Sequence, residues 1–298
     1  MTPAMVGRPR SDEANAVTTS QYMRRYFFGL LIATALSILF ASTQTQAQGS
    51  DQEQDLAKKL SNPVAALISI PVQFNYDRRI GPADGGEKFQ INIQPVVPFT
   101  LDQDWNLVSR TIVPIISQHD VSPGAGDQFG LGDITQSFFF SPAVPTAGGI
   151  IWGVGPVFLL PTGTDSRLTA GKWGIGPTAV VLTQRSGWTI GFLANHIWSV
   201  GGGVPRAEVT AEINATYLQP FVSYSTPDAW TFGVNTESTY DWTAKQWSVP
   251  VNASVSKIVK FGGLPVSLGG TVGYWAESPT NGPKDWRLRA TFTLLLPR

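Results

Sequence analysis

Two arginines near the end of the chain have the spacing that places two cations side by side. Arg287 and Arg289 are two residues apart, and in a β-strand such residues share one face, about 7 Å apart along the strand. Two guanidinium groups can attract a carboxylate or a phenolate. Because unpaired buried cations are costly, we expect instead that they pair with acidic side chains, for which the candidates are Asp77, Glu212 and Glu237.

Other combinations that could support catalysis or metal binding are weak in this sequence. His196 and Ser199 are the candidate pair for a lipid hydrolase, but a separation of three along a strand places them on opposite faces. The chain has no cysteine and only two histidines, which leaves few ligands for zinc. The loop aspartates do not have the spacing of an EF-hand. We therefore predict a protein that is not an enzyme and that holds no cofactor or metal.

Composition narrows the fold class. The 298 residues are 42% hydrophobic and 14% charged, whereas soluble domains carry about 25% charged residues. Thirty glycines and 22 prolines disfavour a large helical protein, and the many aromatic residues favour strands. The 21 basic and 21 acidic residues balance, so no basic surface points to nucleic acid as a partner.

The first 47 residues have the pattern of an export signal. Arg24 and Arg25 precede a 15-residue apolar run at 26–40, and small residues around Ala47 suit a signal peptidase. That run is shorter than the ~20 residues of a membrane-spanning helix, so we favour a cleaved signal peptide over a permanent anchor. Because residues 1–22 are long for the region before such a run, Met23 is an alternative start to Met1.

Residues 48–67 form a second, short region before the strands begin. A capping box at 50–53 and leucines one turn apart predict a helix over 51–60, which Pro63 follows. Two positions are open for this segment. It enters a barrel from below as a plug, or it lies beside the barrel in the periplasm.

Residues 68–298 alternate between apolar and polar side chains, which is the pattern of strands with one apolar and one wet face. In the last segment Trp286, Leu288 and Phe292 alternate with Arg287 and Thr291. The alternation predicts an antiparallel β-barrel of twelve strands, at 68–78, 88–99, 105–118, 132–141, 150–160, 172–183, 188–198, 208–224, 230–241, 246–257, 265–275 and 285–296.

Tryptophan positions decide which face of these strands meets lipid. Tryptophans open or close most predicted strands, where an indole ring sits well at the headgroup level of a bilayer. Most strands have ten to twelve residues, near the ~9–11 that cross a bilayer at a tilt, and twelve is an even number, as bacterial barrels require. The predicted aromatic belt contains Trp105, Trp173, Trp188, Trp198, Trp230, Trp247, Trp275 and Trp286.

If the apolar face meets lipid, the polar face surrounds a lumen. Amides, hydroxyls and charges of both signs would hydrate a passage and bind polar solutes. The alternative is that these side chains only brace a closed barrel. The predicted lumen residues are Gln73, Asn75, Asp77, Gln90, Asn92, Gln94, Asp133, Thr135, Ser137, Asn195, Glu212, Asn214, Asn235, Glu237, Asn252, Arg287 and Arg289.

Six blocks of the sequence resemble one bacterial outer-membrane barrel family, labelled MetA-pathway of phenol degradation and often described only as a transporter. The blocks are LAKKLSNPVAALISIPVQFNYD at 56–77, NLVSRTIVPI at 106–115, GLGDI at 130–134, LPTGTDSRLTAGKWGIGP at 160–177, QPFVSY at 219–224 and DWRLRATFTLLLP at 285–297.

This resemblance implies an outer-membrane location, with membrane lipid and the barrel-assembly machinery as partners. It also implies uptake of a small-molecule solute, of which aromatic or other hydrophobic compounds are examples. Together with the polar inner face, it leads us to expect a channel for passive diffusion. The competing hypothesis is a closed barrel that serves as a structural or binding module through its outer loops.

Overall fold

A computed structural model describes residues 47–202 and 212–296. The predicted signal peptide falls, except for Ala47, outside these residues. Helix α1 covers Ala47–Leu60 and thus begins four residues before the predicted start. In the described part of the chain, no helix is long and apolar enough to span a bilayer.

Fifteen strand segments follow α1 and make up a single antiparallel sheet. Their bounds are β1 Ile68–Ile80, β2 Gly86–Ile93, β3 Val96–Thr100, β4 Trp105–His119, β5 Asp127–Leu131, β6 Ile134–Pro142, β7 Ile150–Leu160, β8 Trp173–Arg185, β9 Trp188–Gly201, β10 Asn214–Ser225, β11 Trp230–Thr236, β12 Ser238–Asp241, β13 Gln246–Phe261, β14 Leu264–Glu277 and β15 Asp285–Leu296.

The segments make twelve crossing strands, as predicted, because three strands are interrupted. The interrupted strands consist of β2 with β3, β5 with β6, and β11 with β12. Each crossing strand pairs with its neighbours in the sequence, and β15 pairs with β1 from Ile68 opposite Leu296 to Tyr76 opposite Leu288. This last pairing closes the sheet into a barrel and confirms the predicted fold class.

Several prolines lie at or beside an irregular part of the sheet, which suits a residue that has no N–H to donate to the ladder. Pro95 separates β2 from β3, and Pro156 faces Pro177 across β7 and β8. Pro250 adjoins a register shift between β13 and β14. Glycine fills the neighbouring position 176, where a Cβ would collide with the backbone of His196. The strands therefore tolerate proline at these places.

The two ends of the barrel differ in their connections. At the end near α1, two-residue turns at Ser186–Gly187 and Gly262–Gly263 join strands, and all four residues have positive φ angles between 49° and 87°. Such turns match the twist of paired strands. The longest connections, between β7 and β8 and between β9 and β10, lie at the opposite end. By the usual asymmetry of outer-membrane barrels, the end with short turns and α1 is the periplasmic one.

The outer surface is apolar along its middle. Phe192, Val234, Val272 and Phe292 are all at least 40% exposed and alternate with inward-facing neighbours. Exposed apolar surface on this scale is unfavourable in water. It is the exterior of a barrel that crosses a bilayer.

The end of α1 and the segment that follows it pack inside the periplasmic end of the barrel. Leu56 and Ala57 of α1 form a buried cluster with Ile258 and Leu295. Val64 joins a second buried cluster of inward-facing residues from β4, β6, β8 and β9, whose members include Val108, Phe139, Val180, Leu182 and Leu193. The core of the protein therefore lies within the barrel.

The close approach at Gly176 leads to a stability prediction. Gly176→Ala places a methyl group against the carbonyl of His196 and should destabilise the barrel by about 2 kcal/mol, since overpacking forces the backbone to shift. Gly270→Ala is the matched control, because a Cβ there meets no atom within 4 Å. Unfolding in detergent, followed as loss of the heat-modifiable band on a gel, measures both variants. Equal midpoints for the two would contradict the prediction.

Candidate functional site

The centre of the barrel interior is an ion pair between Arg289 and Glu237. Arg289 Nη1 and Nη2 donate to the two carboxylate oxygens of Glu237, each at 2.7 Å. Arg289 Nε donates to Asn75 Oδ1 at 2.6 Å, and the amide of Asn75 donates to the carbonyl of Gln90 at 3.1 Å. A bidentate arginine–carboxylate pair is among the stronger hydrogen-bonded contacts in proteins. Each of the three side-chain nitrogens of Arg289 therefore has a hydrogen-bond partner.

Arg287 is held more loosely on the same face. Its Nε lies 3.4 Å from Asp77 Oδ1 and its Nη1 lies 3.4 Å from Glu237 Oε2. Both distances exceed the ~2.8 Å of a good charged hydrogen bond. The guanidinium also lies 5.1 Å from the centre of the Trp275 ring, and Trp275 Nε1 donates to Asp77 at 2.9 Å. The expected pairing of the arginines with acidic residues is thus present, through Asp77 and Glu237.

A glycine on the neighbouring strand makes room for Arg287. Gly273 pairs with Arg287 across β14 and β15. A Cβ at position 273 would lie 2.6 Å from Arg287 Cγ and would also collide with the side chain of Asn252. Asn252 in turn donates to Asn235 at 2.9 Å. Because position 273 has no side chain, the side chains of Arg287 and Asn252 can pack next to each other.

Amides extend the polar cluster around the wall. Gln94 donates to Gln73 Oε1 at 2.8 Å, and Arg110 Nη2 donates to Gln94 Oε1 at 3.1 Å. Gln90 donates to Asn92 Oδ1 at 2.7 Å. The structure therefore brings most of the predicted lumen residues of β1, β2 and β15 into one hydrogen-bonded network.

A cavity of about 220 Å³ lies within this network. Five residues at or near it were not among the predicted lumen residues: Lys88, Arg110, Tyr217, Pro250 and Trp275. Lys88 has the parity of Gln90 and Asn92, which is a signal that could have identified it. The cavity is lined by Asn75, Asp77, Lys88, Gln90, Asn92, Tyr217, Glu237, Pro250, Trp275, Arg287 and Arg289.

Other predicted lumen residues face inward outside the network. Thr135 and Ser137 alternate with the outward-facing Phe138 and Phe140 on β6, and Asn195 pairs with Tyr217 across β9 and β10. They contribute polar wall but make no ion pair with the central cluster.

Asp133 has a different role from lining the wall. It lies between β5 and β6, and its two carboxylate oxygens accept the N–H groups of Gly163 and Ala170 at 3.0 and 2.6 Å. Both donors belong to the long connection between β7 and β8. Asp133 therefore fastens that connection to the barrel wall.

Two predicted lumen residues are placed elsewhere. Asn214 pairs with Trp198 and shares its outward face, because the eighth crossing strand keeps one register with β9 throughout. Glu212 precedes that strand, is exposed at the rim and contacts Lys172 and Ser199. The Lys172 ammonium, followed by the Ser199 hydroxyl, lowers the pKa of Glu212. Glu212 lies outside the lumen because it precedes the strand, and Asn214 does so because its register with Trp198 turns it outward.

Seven of the eight predicted belt tryptophans lie on the outer face, in two groups at the two ends of the strands. Lys257 extends along the outer surface to lie 5.0 Å from the Trp230 ring, as a cation does at a bilayer interface. At the periplasmic end the group is Trp105, Trp188 and Trp230, and at the opposite end it is Trp173, Trp198, Trp247 and Trp286.

The eighth, Trp275, faces inward, so its assignment to the belt is wrong. It pairs with Asp285 and follows the inward-facing Gly273 by two residues. Tyr274 is the aromatic residue that faces out at this position, with its ring 5.3 Å from that of Trp286. Two adjacent aromatic residues cannot both face lipid, and the register of β14 decides between them.

The residues considered for catalysis do not form a catalytic pair. His196 faces outward, with its Nδ1 2.7 Å from Thr216 Oγ1 and its ring 4.0 Å from that of Trp198. Ser199 donates to Glu212. Within residues 47–202 and 212–296, no three acidic, histidine or cysteine side chains are placed to hold a metal ion.

A second cavity, of about 290 Å³, lies at the periplasmic end beside α1. Its walls combine apolar side chains with serine and threonine hydroxyls and the amides of Gln219 and Asn235, and they carry no charge. Its lining includes Ala57, Leu60, Pro63, Phe221, Ser223, Thr231, Ser254, Ser256 and Ile258.

No protein-family model and no curated protein sequence matches this chain. Among solved structures, it is similar to the crystal structure of the COG4313 outer membrane channel from Pseudomonas putida F1, with a TM-score of 0.64 and 14% identity over 78% of this chain and 96% of that one. The KdgM porin has a TM-score of 0.45 and 11% identity over 77% of this chain and 99% of its own.

Outer membrane phospholipase A from Escherichia coli also has a TM-score of 0.45, with 11% identity over 82% of this chain and 98% of that chain. The likeness to the COG4313 channel, at 14% identity, concerns the fold, and it agrees with the closed twelve-stranded barrel described above.

The central ion pair leads to a second stability prediction. Glu237→Gln leaves Arg287 and Arg289 without their shared counter-charge, and removing one partner of a buried pair costs about 3–5 kcal/mol. Glu212→Gln is the control, because its partner lies at the exposed rim, where such pairs contribute about 0–1 kcal/mol. Urea unfolding in detergent micelles measures both. A double variant that also carries Arg289→Gln should lose less than the sum of the single variants, and strict additivity would contradict the coupling.

Proposed function

We propose that this protein is an outer-membrane channel that lets small solutes diffuse across the membrane. The observation that carries the proposal is the band of inward-facing amides and charges around the cavity of about 220 Å³, called here the upper cavity, inside a barrel whose exterior is apolar. The cavity of about 290 Å³ beside α1 is called the lower cavity. Polar walls hydrate a passage and offer hydrogen bonds to a solute. The structural likeness to a protein described as an outer membrane channel supports the same function.

We also propose that residues 48–67 act as a plug that narrows the periplasmic end of the barrel formed by residues 68–298. The contacts of Val64 with inward-facing residues and the burial of Leu56 and Ala57 support this proposal. Gln184 on β8 also donates to the carbonyl of Lys58 at 2.7 Å. These contacts favour the plug over a helix that lies beside the barrel.

The chemistry of both cavities supports a proposal for the solute class. Aromatic or other hydrophobic compounds are implied by the sequence resemblance, and the lower cavity combines Leu60, Phe221 and Ile258 with hydroxyl groups that suit such a compound. The upper cavity is polar and charged. A small solute with an apolar body and a polar group therefore fits the interior better than a sugar or a bare ion.

The second candidate function is a closed barrel that binds partners through its outer loops. The plug contacts and the tight ion pairs inside the barrel favour this alternative, because both reduce the free cross-section. It requires a barrel that does not conduct.

Conductance separates the two functions. Purified protein in planar bilayers should give discrete current steps, because a hydrated wall lets ions follow the solute path. Liposome swelling with small aromatic solutes checks the same passage without a voltage. A protein that inserts, remains heat-modifiable and carries neither ions nor solutes would contradict the channel and support the closed barrel.

Two neighbouring alanines test the plug. Ala65 is buried in the cluster with Leu56 and Leu295, whereas Ala66 is exposed. Ala65→Glu should displace the segment, because a buried unpaired carboxylate is costly, and should raise single-channel conductance several-fold. Ala66→Glu adds the same charge without that burial and should leave conductance near the wild-type value. If both variants conduct like the wild type, the segment does not limit the passage.

A further inference from the structure

One cation inside the barrel has no partner of its own. Lys88 on β2 pairs with Asp77 on β1 in the strand register, and its side chain lines the upper cavity. In the described residues its ammonium group makes no ion pair and no hydrogen bond. An ammonium group away from bulk water is stabilised only by a counter-charge or by hydrogen bonds. Asp77 supplies only a longer-range electrostatic attraction, and no described side chain bonds directly to the ammonium group.

The two carboxylates nearest to Lys88 each have other partners. Asp77 Oδ1 accepts the Trp275 indole N–H at 2.9 Å and lies 3.4 Å from Arg287. Glu237 is held by both terminal nitrogens of Arg289. Arg287 Nε is itself buried without a hydrogen-bond partner. Two cationic groups at the cavity, Lys88 and Arg287, therefore retain free donors.

The charges around the cavity do not balance. Two carboxylates face four cations, and the excess positive charge acts in a region with less water than the bulk, where electrostatic interactions are stronger. Such a field attracts and concentrates anions. The carboxylates are Asp77 and Glu237, and the cations are Lys88, Arg110, Arg287 and Arg289.

We propose that the upper cavity binds a small organic carboxylate between Lys88 and Arg287, and that this site makes the channel anion-selective. The proposal rests on the proposed channel function and specifies its substrate class. A guanidinium presents donors in a fork that matches a carboxylate, and the ammonium adds a point charge. Tyr217, Pro250 and the Trp275 ring form the wall against which an apolar or aromatic body would lie.

Benzoate and benzamide distinguish charge from shape, since they have nearly the same size and only the first is an anion. In a potassium chloride gradient, the reversal potential of the wild type should show chloride permeating faster than potassium. Benzoate should block the chloride current, and benzamide should not. Lys88→Gln should weaken the benzoate block at least fivefold and move the reversal potential toward zero, and Lys88→Arg should restore both.

Lys257→Gln is the matched control, because it removes the same charge from the outer face, where Lys257 lies over Trp230. It should leave selectivity and block unchanged. Cation preference, equal block by benzamide, or equal effects of the two lysine variants would overturn the proposal while leaving a conducting channel intact.

If the barrel does not conduct, the proposed channel function is wrong, but the binding site can still be tested by a second measurement. Benzoate that binds the folded barrel should raise its unfolding temperature in detergent by mass action, and benzamide should not. Lys88→Gln should lose this shift, and Lys257→Gln should keep it. No benzoate-dependent shift in the wild type would overturn the binding site.

Discussion

The pairing of β15 with β1 is the constraint on which the rest of this structure depends. Once the first and last strands hydrogen-bond, no edge remains, and every side chain is assigned to the lipid or to the interior. The nine residue pairs of this seam place Arg289 opposite Asn75, which bond to each other at 2.6 Å. A slip of one residue would exchange the two faces and would turn both arginines of β15 toward lipid. The seam therefore sets both the apolar exterior and the charged interior.

Buried charge in this interior is accommodated by the backbone around it. Glu237 lies between β11 and β12, directly opposite Pro250, which cannot donate a ladder hydrogen bond. Gly273 leaves the space that the stem of Arg287 occupies. Because burying ions is offset only by well-formed partners, the strand interruption and the glycine are part of what lets the cluster exist. One interruption of the sheet and one glycine therefore lie directly beside the charged cluster.

Alternation in the sequence predicts the number of crossing strands and most of their limits, and the last strand was predicted at 285–296 and observed as Asp285–Leu296. The alternation of apolar and polar residues is a property of each strand by itself, so the sequence of one strand is enough to reveal it. The register between two strands depends on both of them. The faces of Asn214 and Trp275 follow from pairing with β9 and β15, which their own neighbourhoods do not specify. Lys88 was omitted from the predicted lumen although the predicted strand begins with it and its parity matches that of Gln90.

The two cavities differ in chemistry in a way that limits what can pass. A solute that enters from the outer end first meets the cations and amides around Arg287 and Lys88, and then meets the uncharged walls beside α1. An inorganic ion is stabilised by the first region and not by the second. A neutral hydrocarbon is stabilised by the second and not by the first. A compound that joins a charged group to an apolar body makes favourable contacts in both regions. The two regions together therefore favour amphipathic anions over both inorganic ions and neutral hydrocarbons.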